Sequence, residues 1–575
     1  MRVVMAVNDL VDQFVAQMKK GLPEPRFEPG QTMVHRVAMR DGTELHTRVY
    51  LPGGTGPWPV VLMRNPYAGL SPILEATASI WTEYGYAAVV QDCRGTGQSG
   101  GEWTPFVNER MDGLDTIDWI VRQRWMDGHI GTYGHSYSSA VQLAMADCFP
   151  QEVKAMVVSG FSTERYRSHY MNGMFRMDVY TGWALENAGI EPLDRENLFA
   201  RAVSIRPHIE MDERLFGKRL PWYREWITNT SPLDDYWSRG FWARLREIPH
   251  YIQTPVLMVA GWFDHHLDGM IRDFHKLPPG TRAVSRLIVG PWVHTLTSSG
   301  DLDYPNGEIN LLAEALRWFD GHLRGDRESL PAGDITVYVV REGRWRRLRN
   351  GFGTDGQHVL YLAGGEGIAH RLNDKPDARD GRAEYRYDPL NPVPTRGGAG
   401  LLRYVSGAPD APRPASLLQE PPGYREDVIT FMTDPLEEDL RIEGSITAHL
   451  YVSSDAPDTA FTVNLMEVTP DGSSYNIRDG ITSLSYRNGA ERPLDYSPGS
   501  VEEVTISLWT IAWTVRKGCR LRLDVSSSNF PAYHAHPNVS GCWAMQANVQ
   551  VARQVIYFGG RYPSRIVIPL ADERS

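Results

Sequence analysis

The stretch Ile130-Gly131-Thr132-Tyr133-Gly134-His135-Ser136-Tyr137-Ser138-Ser139-Ala140-Val141 decides how this chain is read, because a short apolar run enters it and a helical pattern leaves it. Apolar residues at Val141, Ala144, Met145 and Cys148 continue at the spacing of one buried helical face. Strand, sharp turn and helix around Gly134-His135-Ser136-Tyr137-Ser138 make the pattern of a nucleophile elbow, which lifts a serine oxygen above a sheet edge. The usual second glycine of G-x-S-x-G is Ser138 here, and serine is small enough to let strand and helix approach. Plain Gly-x-Ser turns also occur in α/β proteins, so the pentapeptide needs partners elsewhere in the chain.

Working outward, His46 to Leu51, Val60 to Met63 and Ala87 to Gln91 read as strands, and Leu114, Ile117, Ile120 and Val121 mark a helix before the Ile130 strand. That alternation predicts an α/β domain with a mainly parallel sheet. Residues 160–247 lose it and become rich in Trp, Tyr, Met and charge with helical periodicity, as an inserted cap would. Sheet patterns return at Val256 to Ala260 and Leu287 to Val289, before a helix around Leu311 to Leu323. After Pro331 come short strands separated by Gly, Pro, Asp and Asn, among them Ile335 to Val340, Ile446 to Val452 and Ala460 to Val468. Such a series predicts a sandwich or jelly roll. The expected division is an N-terminal extension over 1–30, an α/β core over 31–159 and 248–330, a helical cap over 160–247 and a β-rich domain over 331–575. Residues 6–20 fit an amphipathic helix (Leu10, Val11, Phe14, Met18) that packs on the body or a partner subunit.

Composition sets the background. A chain of 575 residues exceeds one ordinary core. With 42% hydrophobic and 10% aromatic residues it is not disordered in bulk. A net charge of -11 leaves no basic footprint, which argues against nucleic acid or an anionic membrane as partner. Cys93, Cys148, Cys519 and Cys542 have no CxxC spacing and read as free thiols. No apolar run approaches the ~18 residues of a membrane span, and Asn8, Asp9 and Asp12 interrupt the N-terminal apolar stretch, so a soluble cytoplasmic protein is expected.

A serine hydroxyl needs a base to take its proton, and the base needs a third group to hold its tautomer. The strand Val256 to Ala260 exits into Gly261-Trp262-Phe263-Asp264, and Leu287 to Val289 exits into Gly290-Pro291-Trp292-Val293-His294. The order Ser136, Asp264, His294, each after a predicted strand, is that of α/β-hydrolases. An oxyanion needs donors. The elbow offers the backbone N–H of Tyr137, and the strand Val60 to Met63 runs into Arg64-Asn65-Pro66-Tyr67, whose phenol is either a second donor or an ordinary half-buried tyrosine.

Asn65-Pro-Tyr67, Gln91-Asp-Cys-Arg-Gly-Thr-Gly97, Gly134-His-Ser-Tyr137, Gly261-Trp-Phe-Asp264 and Gly290-Pro-Trp-Val-His294 together resemble the serine hydrolase family of cocaine esterase and α-amino-acid ester hydrolases, with X-Pro dipeptidyl-peptidases as more distant relatives. The likeness spans about residues 30 to 575, including Asn391-Pro-Val-Pro-Thr and Ser528-Asn-Phe-Pro531. It implies an α/β-hydrolase body, a helical cap and a C-terminal jelly roll, and makes Tyr67 the side-chain oxyanion donor. Gly182-Trp183 resembles the segment whose Trp lines the acyl pocket, and Phe263 is a second pocket candidate. The family elbow reads G-x-S-Y-x-G, whereas Ser139 stands at the last position here. Carboxylates soon after the triad Asp hold the substrate ammonium in the amino-acid ester hydrolases; here His265, His266 and Leu267 precede the first acid, Asp268, which argues against an ammonium-selective pocket.

Two decoys are set aside. Gly95-Thr-Gly-Gln-Ser-Gly100 fits the dinucleotide fingerprint G-x-G-x-x-G, but Gly101-Glu-Trp-Thr-Pro105 does not look like the helix that must follow. Asp264, His265, His266 and Asp268 mimic a metal cluster, but residues so close in sequence rarely converge, and His534 with His536 has the same problem. The expected protein is a serine esterase, an amide being a lesser substrate, that forms an acyl-enzyme and needs neither metal nor cofactor. An X-Pro dipeptidyl-peptidase, an α-amino-acid ester hydrolase and a non-catalytic binding protein on the same fold are the alternatives, and a homo-oligomer is left open.

Overall fold

The computed structural model describes residues 15–326, 333–348, 351–352, 356–365, 367–401, 409 and 411–571. Ten strands form the first sheet: β1 (Pro29–Ala38), β2 (Glu44–Pro52), β3 (Trp58–Asn65), β4 (Ala87–Asp92), β5 (Met126–His135), β6 (Val153–Ser159), β9 (Val256–Phe263), β10 (Arg286–Val293), β11 (Asp334–Val339) and β12 (Arg344–Leu348). A two-residue ribbon, β7 (Tyr170–Met171) with β8 (Met174–Phe175), lies between β6 and β9 in sequence. The sheet order is β1-β2-β4-β3-β5-β6-β9-β10-β11-β12. Pairing is parallel from β4 through β11 and antiparallel at both edges.

Parallel strands need cover on both faces, and the strand sequences supply it. Along β3, Val61 and Met63 join a core with Trp81 and Phe319, from the helices Ser71–Glu83 and Leu311–Leu323, while Val60 and Leu62 join Ile117 and Ile120 of the helix Glu109–Val121. Asn310 caps the helix Leu311–Leu323 by accepting from Leu312 and Ala313 N–H, and its amide donates to the Met18 and Lys20 carbonyls. Of the predicted N-terminal helix, residues 15–19 are helical and Val15 and Met18 pack on the body; Leu10, Val11 and Phe14 lie outside the described residues.

Between β6 and β9 the chain forms a cap that includes the helices Met177–Glu186, Leu198–Ser204, Met211–Phe216, Pro221–Thr228 and Gly240–Glu247. From Gln357 to Pro569 a second, almost wholly antiparallel set of strands builds the β-rich domain. The protein is thus an α/β-hydrolase fold with an inserted helical cap and a C-terminal β jelly roll. One strand differs from its expected place: Ile335 to Val340 reads as the opening of the β-rich part, yet β11 pairs with β10 and β12 with β11, so the first sheet runs on to Leu348. Turn-rich composition marks a strand but carries no information about the sheet it joins, because pairing is non-local. The jelly roll docks on the cap and the sheet: Met177 and Asp178 N–H donate to the Ala532 and Pro531 carbonyls, and the Arg478 guanidinium donates to the Trp262 carbonyl.

Candidate active site

Ser136 stands where β5 turns into the helix Tyr137–Leu143, with φ 55° and ψ -120°. A serine in this region is strained, and such strain persists only where the surroundings over-determine it. They do so here. Gly134 leaves no room for a Cβ, which would come within 2.5 Å of Ser138. The Ser139 hydroxyl donates within reach of the Gly134 and Ser159 carbonyls (2.8 and 2.9 Å) and accepts from Ser159 N–H at 2.8 Å. The family's glycine position therefore carries a polar clamp between elbow and β6.

Asp264, just past β9, and His294, just past β10, stand two and three strands along the sheet from β5, and His294 links the other two residues. His294 Nε2 lies 2.9 Å from Ser136 Oγ, and His294 Nδ1 lies 3.1 Å from Asp264 Oδ2. Asp264 is fully buried and also accepts from His266 N–H at 2.9 Å. Burial alone pushes its carboxyl up, but the charge and hydrogen bond of His294, then His265 and the His266 N–H, outweigh it and hold the group well below the usual carboxylate range. A carboxylate held low in this way, beside a histidine whose other nitrogen faces a serine, is the arrangement a Ser-His-Asp relay requires.

His265 Nδ1 comes to 3.4 Å from Asp264 Oδ1, so adjacent residues do converge here, and the ligand atoms of Asp264, His265 and His294 lie within 4.8 Å of one another. The same carboxylate is already bound to His294, whose other nitrogen faces Ser136. Asp268 pairs instead with Arg272 at 2.8 Å, and His534 stacks on Trp543 while His536 faces Asp458. His135 rests against the His294 ring at 4.9 Å; burial first, then the His294 charge, lowers it to about 3, so it is a neutral wall.

Tyr137 and Tyr67 take different parts. As the first residue of its helix, Tyr137 has no carbonyl one turn back for its N–H. Its phenol points away, donating to Glu109 Oε1 at 2.9 Å and accepting from Phe106 N–H at 2.6 Å. Glu109 lies 3.2 Å from Arg64 as an ion pair rather than an aligned hydrogen bond, and Arg64 also donates to Gln91 Oε1 at 2.7 Å. Tyr67 shares the Ser136 cavity, and Asn65 holds its backbone by donating to the Tyr67 carbonyl at 2.9 Å. Burial pushes the Tyr67 phenol well up, only partly opposed by Trp183, so it keeps a proton to donate.

Trp183 lines the same cavity, and its indole N–H donates to Tyr67 Oη at 3.0 Å, a contact no motif announces. Phe263 does not line it: it is buried against Tyr304 and under the Arg478 guanidinium. It is the last residue of β9, and neighbouring strand residues face opposite ways, so standing beside Asp264 in sequence does not bring it to the cavity. Arg165, which the sequence did not single out, lines the cavity with Phe161, Tyr180 and His266. The G-x-G-x-x-G stretch forms turns, with Gly95 and Gly97 at positive φ, and the next helix begins only at Glu109.

This architecture has known counterparts. Residues 41–296 match the model of the X-Pro dipeptidyl-peptidase (S15) family, and residues 337–567 match that of the X-Pro dipeptidyl-peptidase C-terminal non-catalytic domain. The chain is 32% identical to a cocaine esterase of Rhodococcus sp. (strain MB1 Bresler), over 93% of this chain and 97% of that one. In fold it is similar to an α-amino acid ester hydrolase (TM-score 0.77, 22% identity, 94% of this chain and 96% of the other). An aminopeptidase of a marine-sediment Thaumarchaeota archaeon is equally similar (TM-score 0.77, 22% identity, covering 96% and 98%).

Proposed function

The chain belongs to the serine hydrolase family of cocaine esterase and the X-Pro dipeptidyl-peptidases and is a hydrolase acting on esters, and we propose that Ser136, His294 and Asp264 carry its reaction. The observation that carries this reading is the unbroken contact from Ser136 Oγ through His294 to a buried, ionised Asp264.

Ser136 Oγ attacks the ester carbonyl while its proton passes to His294 Nε2. Tyr67 and the Tyr137 N–H receive the oxyanion. As the tetrahedral centre collapses, the bond to the alcohol oxygen breaks and His294 returns the proton to that oxygen. Water then attacks the acyl-enzyme, giving a proton to His294 and releasing the acid as Ser136 Oγ is reprotonated. Trp183 supplies both a wall of the acyl pocket and the contact that orients Tyr67.

Esters are favoured over X-Pro peptides and amino-acid esters because those substrates bring a free ammonium. Among the described residues lining the Ser136 cavity none is Asp or Glu, and Asp268 is paired with Arg272. Among the described residues no helix is long and apolar enough to cross a membrane. The four cysteines are free thiols, which suits the cytoplasm as the compartment. Fluorophosphonate labelling followed by peptide mapping tests the assignment: the adduct is expected on Ser136, and folded protein without it would refute the triad.

A further inference from the structure

Arg165 is a buried cation with no counter-ion among the described residues, in the wall of the proposed acyl pocket. Its exposure is 4%, and it opens the short helix Arg165–His169 after β6. The preceding residues are firmly held: Thr163 N–H donates to Asp273 at 2.7 Å, and Lys276 donates to Glu164 at 2.6 Å. The nearest acid in sequence is therefore engaged elsewhere.

The guanidinium instead meets aromatic faces, 4.7 Å from the Phe106 centroid, 5.0 Å from Phe161 and 5.5 Å from Tyr180. Its Nε is buried without a hydrogen-bond partner among the described residues. Among the other buried arginines Arg176 is the nearest parallel: it too lies over rings, 4.4 Å from Trp509 and 5.2 Å from Tyr533, with Nε and Nη2 unbonded among the described residues, but its charge acts on Asp178 and Asp479. The rest have polar partners. Arg48 pairs with Asp92, Arg64 with Glu109 and Arg522 with Asp524, and Arg478 donates to the Trp262 and Thr510 carbonyls. Ring faces offset part of the cost of burying a cation, but a carboxylate offsets far more. The Arg165 charge reaches into the site, since after burial it is the largest influence holding His266 neutral.

The cavity shared by Arg165 and Ser136 measures about 30 Å³, and the usual allowance of ~10–15 Å³ per water makes that room for a group the size of a carboxylate. Arg165 and the carboxylate-free lining point one way: we propose that the acyl pocket takes an ester whose acyl group ends in a carboxylate, a short dicarboxylic half-ester, which Arg165 recognises. The planar guanidinium suits a carboxylate. Set beside Ser136 among Phe106, Phe161 and Trp183, the chamber suits the acyl part, which stays on Ser136, while the alcohol departs. The inference rests on Ser136 being the acylated residue.

The test compares ethyl hydrogen malonate, succinate and glutarate with neutral isosteres such as ethyl 4-methylpentanoate, using the full-length protein and a pH-stat. At least one half-ester should exceed its isostere ~10- to 100-fold in kcat/KM, mainly through KM, as one charged contact allows. In Arg165→Met that ratio should collapse towards one, and Arg165→Lys should keep part of it. Free succinate should inhibit hydrolysis of a neutral ester competitively in the wild type, a readout independent of how the variants fold. Equal use of charged and neutral esters, a preference for a carboxylate on the alcohol side, absence of succinate inhibition, or equal loss on both substrates in Arg165→Met would each overturn the proposal. None of these touches the triad, which fails separately if Ser136 takes no fluorophosphonate.

Discussion

Two buried arginines flank Ser136, one beneath the elbow and one in the wall beside it, and their surroundings are opposite. Below, Arg64 has a counter-charge in Glu109 at 3.2 Å and a hydrogen bond to Gln91, and Glu109 in turn accepts from the Tyr137 phenol. In the wall, Arg165 meets rings. Burial lowers both guanidinium groups, but the Glu109 charge more than restores Arg64, whereas the tyrosines around Arg165 leave it lowered. On the proposal made above, Arg165 leaves the place of its counter-charge to the substrate.

The largest effect tests whether the serine between the two regions reacts at all. Ser136→Ala should lower turnover by ~10⁴-fold or more with an unchanged melting temperature, read by ester hydrolysis and calorimetry. Next comes the contrast itself. Glu109→Ala strands Arg64 and should destabilise by ~3–5 kcal/mol, whereas Arg165→Met should leave stability equal or higher, because only the first breaks a buried pair. Denaturant midpoints compare them, and equal losses would erase the distinction. Tyr67 bridges the regions, its ring edge against Tyr137 and its oxygen bound to Trp183, so Tyr67→Phe should cost ~100- to 1000-fold in kcat. The smallest effect concerns pH. His135 titrates near 3 when folded and near 6.5 when unfolded, so between these values the unfolded chain binds the extra proton and stability falls as pH falls. His135→Gln should flatten the decline in melting temperature from pH 7 to 5; an unaltered slope would remove His135 from the set of buried neutral rings.

The paired region was the more legible in sequence. Ser136, Asp264 and His294 follow strands, and a strand end puts a side chain at the sheet edge, so order and spacing were enough to propose them, and their side chains do come together. Tyr67 needed the family likeness, because a tyrosine after a strand is as readily structural. Arg165 gave no signal: it stands among charged neighbours in Glu164-Arg165-Tyr166-Arg167, where an arginine is ordinarily solvated. Its burial follows from rings brought in by Phe106, Phe161 and the cap, contacts that no local pattern encodes. The placing of β11 in the first sheet and of Phe263 away from the cavity depended likewise on long-range pairing and facing.

The hydrogen bond from the Trp183 indole to the Tyr67 phenol has a consequence for anyone reshaping this enzyme. Trp183 belongs to the cap and Tyr67 to the body, so one contact joins the proposed acyl wall to the proposed oxyanion donor. Trimming position 183 to admit a bulkier acid would also release the phenol from its tether. If Tyr67 is the donor, selectivity and speed share this bond, and directed evolution for a new acyl group would do better to spare the indole and begin elsewhere in the chamber.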